Sequence, residues 1–171
     1  SKVTVPSVCR RHERTGYMQD LMRNQFYKQR SDFELSAIER DKTQVMPEGV
    51  SVQTDIPYMN DGDKAHRMDV YRPEGSEDTT LPVVINIHGG GLLIGSKEFN
   101  RFFCAKLSRL GYLVFSIDYR LVPDCMVFDQ FSDVCNAFKY INAHLGEYNG
   151  DSGHIYGVAD SGGAYLLTYT A

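Results

Sequence analysis

The sequence predicts an α/β fold, with a mostly parallel central sheet flanked by helices. Three observations carry this. The run Leu81–Ile87 (LPVVINI) is short, continuous and apolar, as in a strand buried on both faces. After it, stretches with a helical repeat alternate with further short apolar runs, the pattern of strand–helix–strand units. Ahead of it, two strand-like runs flank the turn-forming cluster Asn60-Asp61-Gly62-Asp63, which reads as a β-hairpin.

The elements follow in order. Residues 1–45 are expected to form a helical cap segment. Tyr17, Met18, Leu21, Met22 and Phe26 recur every three or four residues and so share a helix face. Ser31-Asp32-Phe33-Glu34 has the capping-box pattern and is expected to open a short second helix carrying Leu35 and Ile38. Residues 46–171 are expected to form one domain. Its hairpin strands lie at 50–57 and 67–72, followed by a polar loop at 73–78 and the buried strand 81–87. A helix over 97–110 is expected to turn Phe99, Phe102, Phe103, Leu107 and Leu110 inward, with Gly111 as its stop. Strand 112–117 comes next, then a helix over 128–145 with Phe131, Val134, Cys135, Phe138, Ile141 and Leu145 on one face. Asn149-Gly150-Asp151 turns the chain into strand 154–158, and a last helix opens near Ser161.

Composition narrows the class. The 171 residues hold 18 Lys+Arg against 22 Asp+Glu, a formal net charge of −4, with 42% hydrophobic residues. This usage excludes a disordered chain, and the mild acidity argues against a nucleic-acid partner. No apolar run approaches the ~18 residues that cross a bilayer, so no membrane span is expected. No charged-then-apolar leader opens the chain, and a cytoplasmic location is expected. Cys9, Cys104, Cys125 and Cys135 lack ligand spacing and are read as reduced thiols rather than a disulfide framework. The five His are scattered, so no metal is expected.

The chemistry-bearing residues sit where strands end. In Ala159-Asp160-Ser161-Gly162-Gly163 a serine stands on a tight strand-to-helix turn, where small neighbours relieve crowding and the helix N-terminus favours an oxyanion. An N-cap or a phosphate loop would suit the same five residues. His88-Gly89-Gly90-Gly91 follows strand 81–87, and its glycines leave backbone N–H groups unobstructed, as donors to a developing oxyanion must be. A flexible turn is the alternative; a phosphate loop fits less well, since the lysine of G-x-x-x-x-G-K-[ST] is missing. Asp118-Tyr119-Arg120-Leu121-Val122-Pro123 closes strand 112–117, with Arg120 placed to anchor its loop by ion pairs.

In this combination and order, the H-G-G-G-x-x-x-G-S run His88–Ser96, the DYRLVP run and the Asp160-Ser161 elbow resemble the hormone-sensitive-lipase-like esterases of the α/β-hydrolase fold. The resemblance runs from about Val50 to the end and covers the N-terminal part of that family only. It implies a carboxylesterase or lipase acting on small esters without a cofactor. Ser161 would be the nucleophile, and N–H groups of Gly90, Gly91 and Gly162 the oxyanion hole. His88 and Gly89 would support the oxyanion loop, and Leu92 and Leu93 would line the substrate pocket. Met18, Met22 and Phe26 would be cap contacts. Two positions depart from the family pattern: Ala159 replaces Gly, expected to tighten the turn, and Gly162 replaces the usual Ala, expected to be sterically harmless.

A serine esterase also needs a histidine base and a carboxylate to orient it, and in this fold both follow the serine. Ten residues follow Ser161, and none is Asp, Glu or His. His154 lies upstream on its strand, about 20 Å away at ~3.3 Å per residue. His144 and His66 are expected at distant ends of the sheet, His12 in the cap segment, and His88 in a loop-ordering role. The expectation is therefore an incomplete chain, inactive alone. Its strand 154–158 is expected to be an unpaired edge available for homo-oligomers or for association with a missing C-terminal part. A non-catalytic ligand-binding or interaction module of the same fold, or an amide or formamide hydrolase, remains the alternative.

Overall fold

A computed structural model describes residues 7–171, with side chains from residue 15 onward. The side chains of Cys9 and His12 lie outside the described residues. Helix α1 (Ser7–Asp41) is followed by strands β1 (Val50–Pro57), β2 (Arg67–Pro73) and β3 (Leu81–Ile87). A short 3-10 turn leads into α2 (Arg101–Arg109), and β4 (Leu113–Ile117), α3 (Val127–His144), β5 (Gly150–Ala159) and α4 (Ser161–Thr170) complete the chain.

The sheet order is β1-β2-β4-β3-β5. β1 and β2 form the expected antiparallel hairpin, β2 runs antiparallel to β4, and β4, β3 and β5 are parallel. Side-chain alternation along the parallel strands divides the core. Val84 and Val114 meet Cys104 and Ala105 of α2 on one face. Val83, Ile85, Ile87, Leu113, Phe115 and Ile117 meet Val134, Ala137 and Ile141 of α3 and Leu166 of α4 on the other. The connection β3–α2–β4 leaves to one side of β3, and β4–α3–β5 returns to the other. The crevice at the C-terminal ends of β3 and β5 is therefore the switch point where open α/β sheets bind ligands. No helix among the described residues is long and apolar enough to cross a membrane.

Two expectations are corrected. The N-terminal segment is one continuous helix, with no break at Ser31. A capping-box sequence stabilises a start but does not end a helix already running, and no Gly or Pro stands between residues 17 and 41. Phe33 stacks on Phe99 at 4.8 Å, Arg40 lies over the same ring, and Asp41 pairs with Arg101 at 3.0 Å, so the later turns are fixed to the body. Met18 and Met22 are more than half exposed, and Phe26 is half-buried. The second correction concerns α2. Phe102 is buried, but Phe103 and Leu110 are exposed. The inward face is set by the small residues Cys104, Ala105 and Ser108, which let the helix approach the sheet closely.

Candidate active site

Ser161 stands between β5 and α4 with φ +46°, a left-handed backbone rarely taken by a residue with a Cβ. It is exposed. Glycine follows for steric reasons. A methyl group at Gly163 would stand 2.3 Å from the Ile87 carbonyl oxygen and 2.5 Å from that of His88, so only Gly lets α4 seat against the end of β3. One at Gly162 would come within 3.1 Å of the Leu92 nitrogen and 3.2 Å of the Gly91 nitrogen. Gly162, without a Cβ, meets no such crowding, and the turn and the glycine loop are packed together.

Asp160, read from the sequence only as a flanking residue, ties these two segments. Its Oδ1 accepts the Gly89 N–H at 3.1 Å and an Asn100 side-chain N–H at 3.0 Å. A Cβ on Gly89 would fall 2.3 Å from the Asp160 carboxylate, which explains a glycine at that position.

The loop from His88 to Ser96 is held from several sides. His88 is fully buried, with Nδ1–H donating to the Gly89 carbonyl at 2.8 Å. Its ring stacks on Tyr119 at 4.4 Å, and the Tyr119 hydroxyl donates to the His88 carbonyl at 2.7 Å. Burial pulls its imidazole down to about 4, so it is neutral at pH 7. Leu93 and Ile94 N–H groups close a turn on the Gly90 carbonyl. The Leu92 carbonyl accepts from Val122 N–H at 3.0 Å and from Gln130 Nε2 at 2.9 Å. Gly90, Gly91 and Leu92 all have positive φ, and the amides of Gly90, Gly91, Leu92 and Gly162 donate to no protein acceptor among the described residues. Free donors on a loop packed against a strained serine turn can stabilise an oxyanion. Leu92 N–H belongs to this set as well as Gly90 and Gly91. The Leu92 side chain packs against the core on the α3 side, and Leu93 is half-buried.

No described histidine meets Ser161. His66 is buried between Asp61 Oδ2 at 2.6 Å and Asp133 Oδ1 at 2.9 Å, and Arg120 grips Asp133 through Nε and NH2. The ion pair expected of Arg120 is thus present, with a partner thirteen residues away. His144 stacks on Tyr140, and His154 pairs with Asp151. Three cavities of 250, 270 and 380 Å³ lie elsewhere on the surface, and Ser161 lines none of them. Asp160, Asn100, Gln130 and Asp133 were missed by sequence reasoning. Only Asp160, inside the serine motif, left a signal there.

The chain is similar to known esterases in sequence and fold. A family model described as BD-FAE matches residues 68–171. A probable isoprenylcysteine alpha-carbonyl methylesterase of Arabidopsis thaliana is 32% identical over 105 residues, 61% of this chain and 22% of its own length. A probable carboxylic ester hydrolase of Mycobacterium tuberculosis is 31% identical over 123 residues, 67% of this chain and 28% of its own length. Esterase B of Lactobacillus rhamnosis superposes with a TM-score of 0.86 at 26% identity, covering 91% of this chain and 49% of that one. An esterase of Pyrobaculum calidifontis gives a TM-score of 0.70 at 30% identity, over 85% and 45%. The chain spans about a quarter of those curated relatives and about half of those solved structures.

Proposed function

The chain belongs to the BD-FAE family, among the hormone-sensitive-lipase-like esterases of the α/β-hydrolase fold, and on that premise we propose that it carries the nucleophile and oxyanion-binding part of a carboxylic ester hydrolase. Ser161 attacks the ester carbonyl. The N–H groups of Gly90, Gly91 and Gly162 receive the negative charge of the tetrahedral intermediate, helped by the N-terminal dipole of α4. His88 and Gly89 shape the donor loop, and Leu92 and Leu93 bound the acyl or alcohol side. Acyl transfer of this kind asks for no metal or organic cofactor. The observation that carries the proposal is Ser161 at φ +46° on a turn packed against the unpartnered amides of the triple-glycine loop.

The substrate class is a small carboxylic ester, and the methylesterase and ester-hydrolase names of the relatives support ester chemistry. Residues 162–171 hold no Asp, Glu or His, and the described histidines are engaged elsewhere. The 171 residues by themselves are therefore expected to be inactive, since a neutral hydroxyl without a base is a poor nucleophile.

Hydrolysis of short-chain p-nitrophenyl esters tests this in the full-length protein and in the 171-residue chain, each beside its Ser161→Ala variant. The full-length protein is expected to turn over substrate and to lose on the order of 10³-fold or more on substitution. The 171-residue chain is expected to stay at the solvent rate. Saturable ester binding without turnover by the full-length protein would make the site a binding module instead. Turnover of an anilide or formanilide but not of esters would make it an amide hydrolase.

A further inference from the structure

We infer that Arg30 of α1 is a positioning residue for the oxyanion loop, so that the N-terminal helix takes part in setting the geometry of the site. The inference rests on the reading of the glycine loop as an oxyanion hole.

Arg30 is one of the few residues in the middle of α1 that point into the body, and its side chain is 19% exposed. Its three guanidinium nitrogens reach three different acceptors. Nε donates to the Leu93 carbonyl at 2.9 Å, NH2 to the Val122 carbonyl at 3.0 Å, and NH1 pairs with Asp124 Oδ2 at 3.0 Å. Leu93 lies two residues beyond Gly91, and Val122 and Asp124 lie in the loop that closes β4. The two loops are already joined, because Val122 N–H donates to the Leu92 carbonyl and Gln130 spans the carbonyls of Leu92 and Arg120. Arg30 closes this network from the opposite side. Tyr27, one turn earlier on α1, donates to the other oxygen of Asp124 and holds the carboxylate in place.

The physical need is clear from the loop itself. Gly90, Gly91 and Leu92 hold positive φ in succession, a backbone that neighbouring contacts must enforce. Leu93 is the first residue after that run, and its carbonyl is fixed by a helix more than sixty positions earlier in the chain. A lysine could not reproduce the contact. Its ammonium is a point charge on a flexible stem, whereas the planar fork addresses separate acceptors at once. Loss of the guanidinium leaves the Leu93 and Val122 carbonyls without this donor and frees the loop to relax from the geometry that aims the amides of Gly90 and Gly91.

The test uses the full-length protein with Arg30→Met, Arg30→Lys and a control, Lys28→Gln, which removes only an exposed ion pair with Asp32. Ester hydrolysis is measured with amide hydrogen exchange of residues 89–95. Arg30→Met is expected to lower kcat about tenfold or more with KM within twofold, since misplaced donors act on the transition state. Exchange in 89–95 is expected to quicken while β3 and β4 stay protected. Arg30→Lys should show the same defects, and Lys28→Gln neither. Unchanged kcat and loop exchange in Arg30→Met overturns the inference. So does faster exchange spread evenly over β3 and β4, which would mark a general stability role. An inactive parent protein whose loop exchange still responds to Arg30 would overturn the esterase reading while supporting the contact's hold on the loop.

Discussion

Asp118 and His88 lie 4.0 Å apart behind the glycine loop and respond to pH in opposite senses. Burial pushes the Asp118 carboxyl up to about 7, against the Lys97 N–H that favours its charged form. The folded chain thus holds this proton more tightly than the unfolded chain. Its contribution is fully present below about pH 4 and is lost as pH rises through 7. His88, pulled down to about 4 by burial, contributes above its ordinary 6.5, and that contribution is lost as pH falls toward 4. Between pH 4 and 6.5 the two slopes offset each other. Asp118→Asn keeps an acceptor for Lys97 N–H and removes one slope. The variant should gain on the parent as pH rises from about 4 to 7, by up to a few kcal/mol at ~1.4 kcal/mol per unit. Urea unfolding of both proteins across that range checks this, and a pH-independent difference refutes it. The serine and the glycines were legible in the sequence because tight turns constrain residue type locally. Asp118's environment was not, because burial is set by β2, β4 and the Lys97 turn together.

At the scale of elements, the hairpin is fastened to α3 by one buried carboxylate. Asp133 accepts from His66, from the Arg120 backbone N–H at 2.9 Å and from the Arg120 guanidinium. Asp133→Ala leaves a buried imidazole and a half-buried guanidinium without their shared partner, at a cost on the order of 3 kcal/mol. Asp61→Asn, which alters the more exposed side of the same histidine, should cost clearly less, because solvent screens that pair. Chemical denaturation of the two variants separates them, and equal losses would deny Asp133 its central place. Four strands were read from the sequence within a residue, since apolar runs bounded by turns leave little freedom, but β5 begins at Gly150, four residues ahead of the expected 154 and inside the expected turn. The phase of α2 was not. Phe102-Phe103 offers two aromatics on different faces, and only the closeness of the sheet selects Cys104, Ala105 and Ser108 as the contact. The continuity of α1 was missed for a related reason, because a capping sequence is silent about what precedes it.

For the whole molecule, the two edges of the sheet differ. β1 is blunted by a bulge between Gln53 and Ile56, by Asp55 at φ +59° and by Pro57. β5 pairs with β3 alone among the described residues, through Gly150 and 155–159, with Ile155 40% and Tyr156 49% exposed. The 171-residue chain is expected to self-associate through β5 with rising concentration, and Ile155→Lys is expected to reverse this. A parent chain that sediments as a monomer across the micromolar range would exclude it. By itself the sequence determined the fold class, the order of the strands along the chain, the family, and the residues of the serine turn and glycine loop. Each rests on patterns within a few residues, where backbone sterics and apolar periodicity act. Only the tertiary structure decided that Asp160 joins the turn to the glycine loop, that Asp133 engages His66 and Arg120, and that Arg30 reaches the Leu93 carbonyl from α1. Those contacts bridge 13 to 71 positions. Which partners meet across such distances is settled by how sheet and helices pack, a choice that no local pattern encodes.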